Sequence, residues 1–143
     1  MRQEFRECLN RGKILRFQQG NRLVDKELNS ARSDLEDARF GFEHGRYKWS
    51  TIQGYYSMYH SARALVFFKG FRERSHYCLV VALQELFVDK GTLNADLVES
   101  FRNSMRLRES ADYRSDFSEE GALLVVERAG QFLIKAARIR DLK

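Results

Sequence analysis

Apolar residues recur along this chain at intervals of three and four, the spacing that gathers side chains on one face of an α-helix. From Arg22 to about His44, Val24, Leu28, Ala31, Leu35, Ala38 and Phe42 form one stripe; Lys26, Ser33, Glu36 and Asp37 fall opposite, and Gly45 ends the segment. From about Tyr47 to Lys69 there are two stripes, one of Ile52, Tyr55, Tyr56, Tyr59, Ala62 and Val66, the other of Met58, Leu65 and Phe68. A helix apolar on more than one face is usually central: either it sits inside a bundle or it lends one face to a partner subunit. Gly70 closes it, and a basic loop, FRERS, leads to Ser75, a residue suited to capping a third helix over His76 to Val88. Leu79, Val80, Leu83, Leu86 and Phe87 supply the buried face of that helix.

After the turn DKGTLN, a fourth helix is predicted from about Ala95 to Tyr113, with Leu97, Phe101 and Met105 on one side. A fifth runs from about Ser118 to Ile139 and starts with S-E-E, acidic residues that suit a positive helix N-terminus. Ahead of all five lies a short charged segment, residues 1–21, with or without a helix of its own. Short connections between long amphipathic helices favour antiparallel neighbours. The pattern therefore predicts an all-α fold, an up-and-down helical bundle of about five helices. No repeat, low-complexity tract or linker divides the 143 residues, so 1–143 read as a single domain.

Composition strengthens this picture, since the chain has no proline and nine glycines, and proline would break long helices. A formal net charge of +5 makes an anionic partner plausible. Cys8 and Cys78 stand far apart with no paired spacing, fitting neither a disulfide framework nor a zinc knuckle, so a reducing cytoplasm is the expected location. The opening MRQEFRECLNRGK lacks the apolar core of a secretory signal, and ALVFF and CLVVAL fall far short of the ~20 residues of a membrane helix. No membrane association is expected.

Candidate chemistry concentrates in "LRESADYRSD", Leu107 to Asp116. Steps of three and four carry the apolar row of the fourth helix from Met105 onto Arg108 and Asp112. An exposed pair four residues apart would contribute only ~0.3–0.5 kcal/mol. A pair that continues an apolar row must instead be paired, hydrogen-bonded or lining a cleft. Arg102, Arg106 and Tyr113 occupy the adjacent row, and guanidinium groups beside a phenol suit phosphate contacts with base stacking. The rival reading makes Arg108 and Asp112 a structural pair in a protein-interaction module.

Other constellations are weaker. Glu73 and His76 match one half of a carboxylate-bridged di-iron motif, but such sites need two such motifs and further glutamates, so no metal is expected. His60 reads as a hydrogen-bonded packing residue, and Tyr55, Tyr56 and Tyr59 as core with their hydroxyls at the boundary. There is no glycine-rich phosphate loop, Ser-His-Asp order or nucleophile elbow, and no cofactor is expected.

The aromatic-rich helix YYSMYHSARAL, the Ser75-His76 start of the next, and Arg-x-x-Ala-Asp-Tyr at Arg108 to Tyr113 follow one another in a telling order. From about Leu23 to Ala136 the chain resembles the small prokaryotic HEPN-domain proteins (higher eukaryotes and prokaryotes nucleotide-binding). The resemblance implies a helical bundle that forms a homodimer and acts beside a minimal nucleotidyltransferase as a toxin-antitoxin pair. It also implies nucleotide or RNA as ligand, and the strip of Arg102, Arg106, Arg108, Asp112 and Tyr113 is where this chain is expected to bind it. Many family members are metal-independent ribonucleases using an Arg-x4-6-His motif, whose arginine falls on Arg108. Where that motif has histidine, this chain has Tyr113. Histidine exchanges protons near neutral pH, whereas tyrosine, with an ordinary pKa of ~10, is a poor general base without strong tuning. Arg108 and Tyr113 are the candidates for catalysis, and cutting or merely binding RNA stays open.

Overall fold

The computed structural model describes residues 1–142 and, among them, places six helices and one small sheet. In chain order these are α1 (Gln3–Asn10), β1 (Ile14–Arg16), α2 (Gly20–Glu43), α3 (Tyr47–Phe68), β2 (Phe71–Glu73), α4 (His76–Leu83), α5 (Ala95–Arg114) and α6 (Glu119–Leu142). The fold is all-α, a bundle of long helices. All five expected helices are present, and the charged N-terminal segment contains the sixth, α1, which buries Phe5 and Cys8.

Helix α3 lies inside the bundle, packed against α2, α5 and α6. Its 22 residues include 13 buried ones, and only one side, at Trp49 and Tyr56, reaches solvent. Small residues allow that crowding. A Cβ added to Gly54 would lie 2.8 Å from Val125 Cγ1 of α6, and Ser57 Oγ donates to the Ala31 carbonyl of α2 at 2.8 Å. The second interaction satisfies a hydroxyl that has no access to water. One contiguous core runs from Phe5 to Ile139 and includes Leu28, Met58, Leu79, Phe101 and Phe132.

Three features depart from the pattern. First, Ser75 caps α4 as expected, its hydroxyl accepting from Cys78 N–H at 3.1 Å, but the helix changes to a π-helical turn over Gln84–Val88. Second, β1 and β2 pair antiparallel, with Ile14 opposite Glu73, Leu15 opposite Arg72 and Arg16 opposite Phe71. The basic stretch FRERS is thus in part a strand, and residues 1–21 hold its partner. Strands of three residues are too short to show an alternating pattern, and their pairing depends on the distant segment each meets.

Third, the two cysteines are not independent thiols: Cys8 and Cys78 form a disulfide joining α1 to α4, with a Cα–Cα separation of 5.9 Å and both residues buried. The expectation that they fit no disulfide is corrected. Residues 70 positions apart reveal nothing of their proximity through spacing. The pairing also removes the observation on which a reducing cytoplasm rested. Among the described residues no helix is long and apolar enough to cross a membrane.

Candidate functional site

Helix α5 carries Arg108 where the row of buried Leu97 and Phe101 and half-buried Met105 continues toward the helix end. The helix does not fray there: Ser115 adopts a left-handed conformation (φ 51°), and Asp116 N–H returns to the Ser110 carbonyl at 3.0 Å. Arg108 is consequently held in place, and its side chain is only 12% exposed. Its guanidinium carbon lies 5.1 Å from the ring centre of Tyr55, 5.7 Å from Tyr56 and 5.6 Å from Tyr113. Nη1 donates to the Tyr113 hydroxyl at 3.4 Å and stands 3.5 Å from Asp112 Oδ2. Three aromatic rings and one carboxylate offset the cost of removing the guanidinium from water. Tyr55 is itself buried, and that burial raises its phenol above the ordinary tyrosine range.

Arg108 reaches a cleft of about 560 Å³ between α3, β2, the start of α4 and α5. Basic side chains dominate it: Lys13, Arg63, Arg72 and Arg74 join Arg108, against one carboxylate, Glu73. Glu73 accepts from the Tyr59 hydroxyl at 3.1 Å, and Arg63 Nε stands 3.4 Å from the same oxygen. Burial, with Glu73 acting in the same direction, pushes the Tyr59 phenol up to about 12. Tyr59 therefore stays protonated and serves as a donor.

His76, the first residue of α4, stands at the cleft wall, its ring 4.8 Å from Phe101 and 6.0 Å from Tyr55. Burial, opposed by Glu109 and assisted by Arg108 and Arg102, lowers its imidazole from the usual 6.5 to about 4. His76 is uncharged at neutral pH, and its Nε2 is buried without a protein partner. Because the folded state resists protonation that the unfolded chain accepts, stability should fall as pH drops from about 6.5 toward about 4. Solvent screens the partly exposed ring, so this contributes about 1–2 kcal/mol rather than the full shift. Chemical denaturation of the wild type and of His76→Phe across that window checks it: the variant should lose less stability on acidification. An equally steep loss in both would count against it.

The residues anticipated for ligand binding are divided by the fold. Arg108, Asp112 and Tyr113 come together. Arg102 and Arg106 instead face a second cleft of about 440 Å³, shared with Arg2, Glu4, Tyr77 and Glu109 and separated from the first by His76 and Met105. Arg102 pairs with Glu99 at 3.3 Å, and Arg106 donates to Asn103. A single strip of Arg102, Arg106 and Tyr113 around Arg108 is therefore not what forms. Conversely, Lys13, Arg63, Arg72 and Arg74 join the cleft although the sequence did not single them out. The basic loop FRERS was the one signal pointing to two of them.

Neither of the other histidine constellations gathers a ligand. Glu73 is engaged by Tyr59 and Arg63, and among the described residues no cluster of three or more His, Cys, Asp and Glu side chains is placed to hold a metal. His60 bridges the neighbouring helix α2, with Nδ1 2.8 Å from Glu27 Oε1 and Nε2 3.6 Å from Asp34 Oδ2.

Residues 24–141 match the family model of the HEPN domain. The chain belongs to the HEPN-domain family. Among HEPN relatives, "Putative toxin MJ0605" of Methanocaldococcus jannaschii is 29% identical over 107 residues, 74% of this chain and 80% of that protein. A UPF0332 protein of Thermotoga maritima is 26% identical, covering 85% of this chain and 95% of the relative. "Putative toxin MJ0142" of Methanocaldococcus jannaschii is 23% identical over 82% of this chain and 81% of its own length. The HEPN match begins within α2 and takes in Arg108, Tyr113 and His76. Helix α1, strand β1, Cys8 and Lys13 precede it.

Proposed function

We propose that this HEPN protein is a toxin-like component that binds nucleotide or RNA through Arg108, Asp112 and Tyr113. The observation that carries the reading is Arg108 itself: a guanidinium nearly buried among Tyr55, Tyr56 and Tyr113, at the edge of a cleft lined by four further cations. Guanidinium and phenol side by side match a phosphate and a base. The names of the two relatives from Methanocaldococcus jannaschii support the toxin-like role. Arg102 and Arg106, on the neighbouring cleft, extend the same basic surface.

The reading includes the whole chain working as one HEPN-like domain, as a homodimer, beside a nucleotidyltransferase. Phe117, Leu123 and Leu124, exposed near the start of α6, offer apolar surface for a second copy. Filter binding of a single-stranded RNA oligomer across a salt series tests the proposal, because phosphate contacts weaken steeply as salt rises. Affinity indifferent to salt would reject it. Gel filtration of the protein alone and mixed with a minimal nucleotidyltransferase tests both partners.

A ribonuclease reading stands beside it on one specific observation: His76, neutral and with a free Nε2, shares the cleft with Arg108. Burial makes this imidazole a weak base, and the negative charge of a bound phosphate would raise its proton affinity toward neutral pH. RNA incubated in EDTA with wild type, Arg108→Ala and His76→Phe decides between cutting and binding. Cleavage lost in both variants favours catalysis, whereas intact RNA with all three proteins leaves binding as the function.

A further inference from the structure

The wall of the Arg108 cleft formed where Lys13 meets β2 has its own chemistry. Arg74 N–H donates to the Lys13 carbonyl at 2.8 Å, which extends the β1–β2 pairing by one residue and sets Lys13 opposite Arg74. Like charges directly across a strand pair repel. Arg72 adds a third cation on the same strand, its guanidinium carbon 5.1 Å above the Phe17 ring. Among the described residues, Lys13, Arg72 and Arg74 make no ion pair, whereas Arg63 has Glu73 and Arg108 has Asp112.

Unpartnered polar atoms mark the same place. Arg63 Nε, Arg72 Nε, Glu73 Oε1, His76 Nε2 and Arg108 Nε are all buried without a hydrogen-bond partner, and all five belong to residues lining this cleft. Among the described residues only Ser61 Oγ shares that condition elsewhere. Buried polar groups are ordinarily satisfied, and three of these atoms, the Nε donors of Arg63, Arg72 and Arg108, are ones that an anion in the basic cleft satisfies, whereas Glu73 Oε1 is not.

We infer that Lys13, Arg72 and Arg74, with Arg108 at the far side, form a site for two or three consecutive phosphates. Three unpaired cations beside Arg108 exceed what one diester phosphate, with about one negative charge, can neutralise. A terminal phosphate brings about −1.5 to −2 at pH 7, and each linked phosphate adds about one more, which matches the cluster. Glu73 does not oppose the charge at this end, since Tyr59 and Arg63 already hold it. The inference rests on the proposed reading, since it shares Arg108 and its basic cleft, and adds a ligand class and a specific role for Lys13, Arg72 and Arg74.

Polyphosphate chemistry reaches the site from two sources, a free nucleotide or the 5′ end of an RNA, and titration calorimetry at low salt separates them. The probes are inorganic phosphate, tripolyphosphate, AMP, ATP, and one short RNA carrying either a 5′-triphosphate or a 5′-hydroxyl. Tripolyphosphate should bind at least tenfold more tightly than inorganic phosphate, and Arg72→Gln with Arg74→Gln should abolish that preference. Preference for ATP over AMP assigns the site to a nucleotide, and preference for the triphosphorylated RNA end assigns it to RNA. Equal affinity for phosphate and tripolyphosphate, or a preference that survives both substitutions, would overturn the inference. Tripolyphosphate binding with no RNA binding would reject the proposed RNA function and uphold this site. Both arginines have exposed or half-exposed side chains, and a thermal melt of the variant verifies that it is folded.

Discussion

Removing the disulfide, by Cys8→Ser with Cys78→Ser or by reductant, should lower the melting temperature by about 10 °C. The bond closes a span of 70 residues between α1 and α4, and loop-closure entropy for such a span stabilises the folded state by about 4 kcal/mol, with typical measured values of 2–4. At this chain length each kcal/mol shifts the midpoint by roughly 2–4 °C. The effect extends beyond stability. Lys13 N–H donates to the Cys8 carbonyl at 2.9 Å, so the segment that carries Lys13 to the cleft is hung directly from the bonded cysteine. Reduced protein should therefore bind tripolyphosphate more weakly than oxidised protein at a temperature where both are folded. Differential scanning fluorimetry with and without dithiothreitol, alongside a count of free thiols in the denatured chain, checks the first expectation. Two free thiols in protein purified without reductant, or a midpoint unmoved by reductant, would contradict it.

Replacing Arg108 by alanine should weaken single-stranded RNA binding by tenfold or more and reduce the slope of log affinity against log salt by about one. The loss has two components. A phosphate loses its guanidinium, and Tyr55, Tyr56 and Tyr113 lose the cation around which they are arranged. The second component should cost about 0.5–2 kcal/mol of folding stability. Arg108→Lys separates charge from shape: an ammonium restores the salt slope but cannot stack flat on rings or donate in a fork, so affinity should recover only in part. Arg102→Ala offers the contrast, because its side chain is half-exposed, already paired with Glu99, and lies on the other cleft. It should change RNA affinity less than threefold. Wild-type affinity retained by Arg108→Ala, with only a lowered melting temperature, would return the Arg108–Asp112 pair to a structural role.

How Tyr113 bears on this is instructive. It is 74% exposed, yet its hydroxyl meets Arg108 from five residues along the helix. Periodicity placed Tyr113 on a different row from Arg108, and only the length of the two side chains lets them touch. The same arithmetic grouped Arg102 and Arg106 with Tyr113, although they face the second cleft, beyond His76 and Met105, and are engaged by Glu99 and Asn103. Spacing along a helix therefore placed Arg108 in the inward-facing row of α5 but did not give the membership of the cleft it reaches.

What the sequence by itself determined is the set of elements whose information is local. Apolar steps of three and four define α2 to α6 to within a few residues, glycines and Ser75 mark their boundaries, and the double stripe on α3 announces a helix covered from several sides. Arg108 was legible for the same reason, as a charge standing in an apolar row. Whatever depends on two distant segments meeting was decided only in three dimensions. That includes the three-residue strand pair, the Cys8–Cys78 bond, the placement of α3 inside the bundle, and the convergence of Lys13, Arg63, Arg72 and Arg74 on Arg108. Each needs long-range packing to bring its parts together. Helical periodicity reports which face of a segment is buried, but not which other segment covers it.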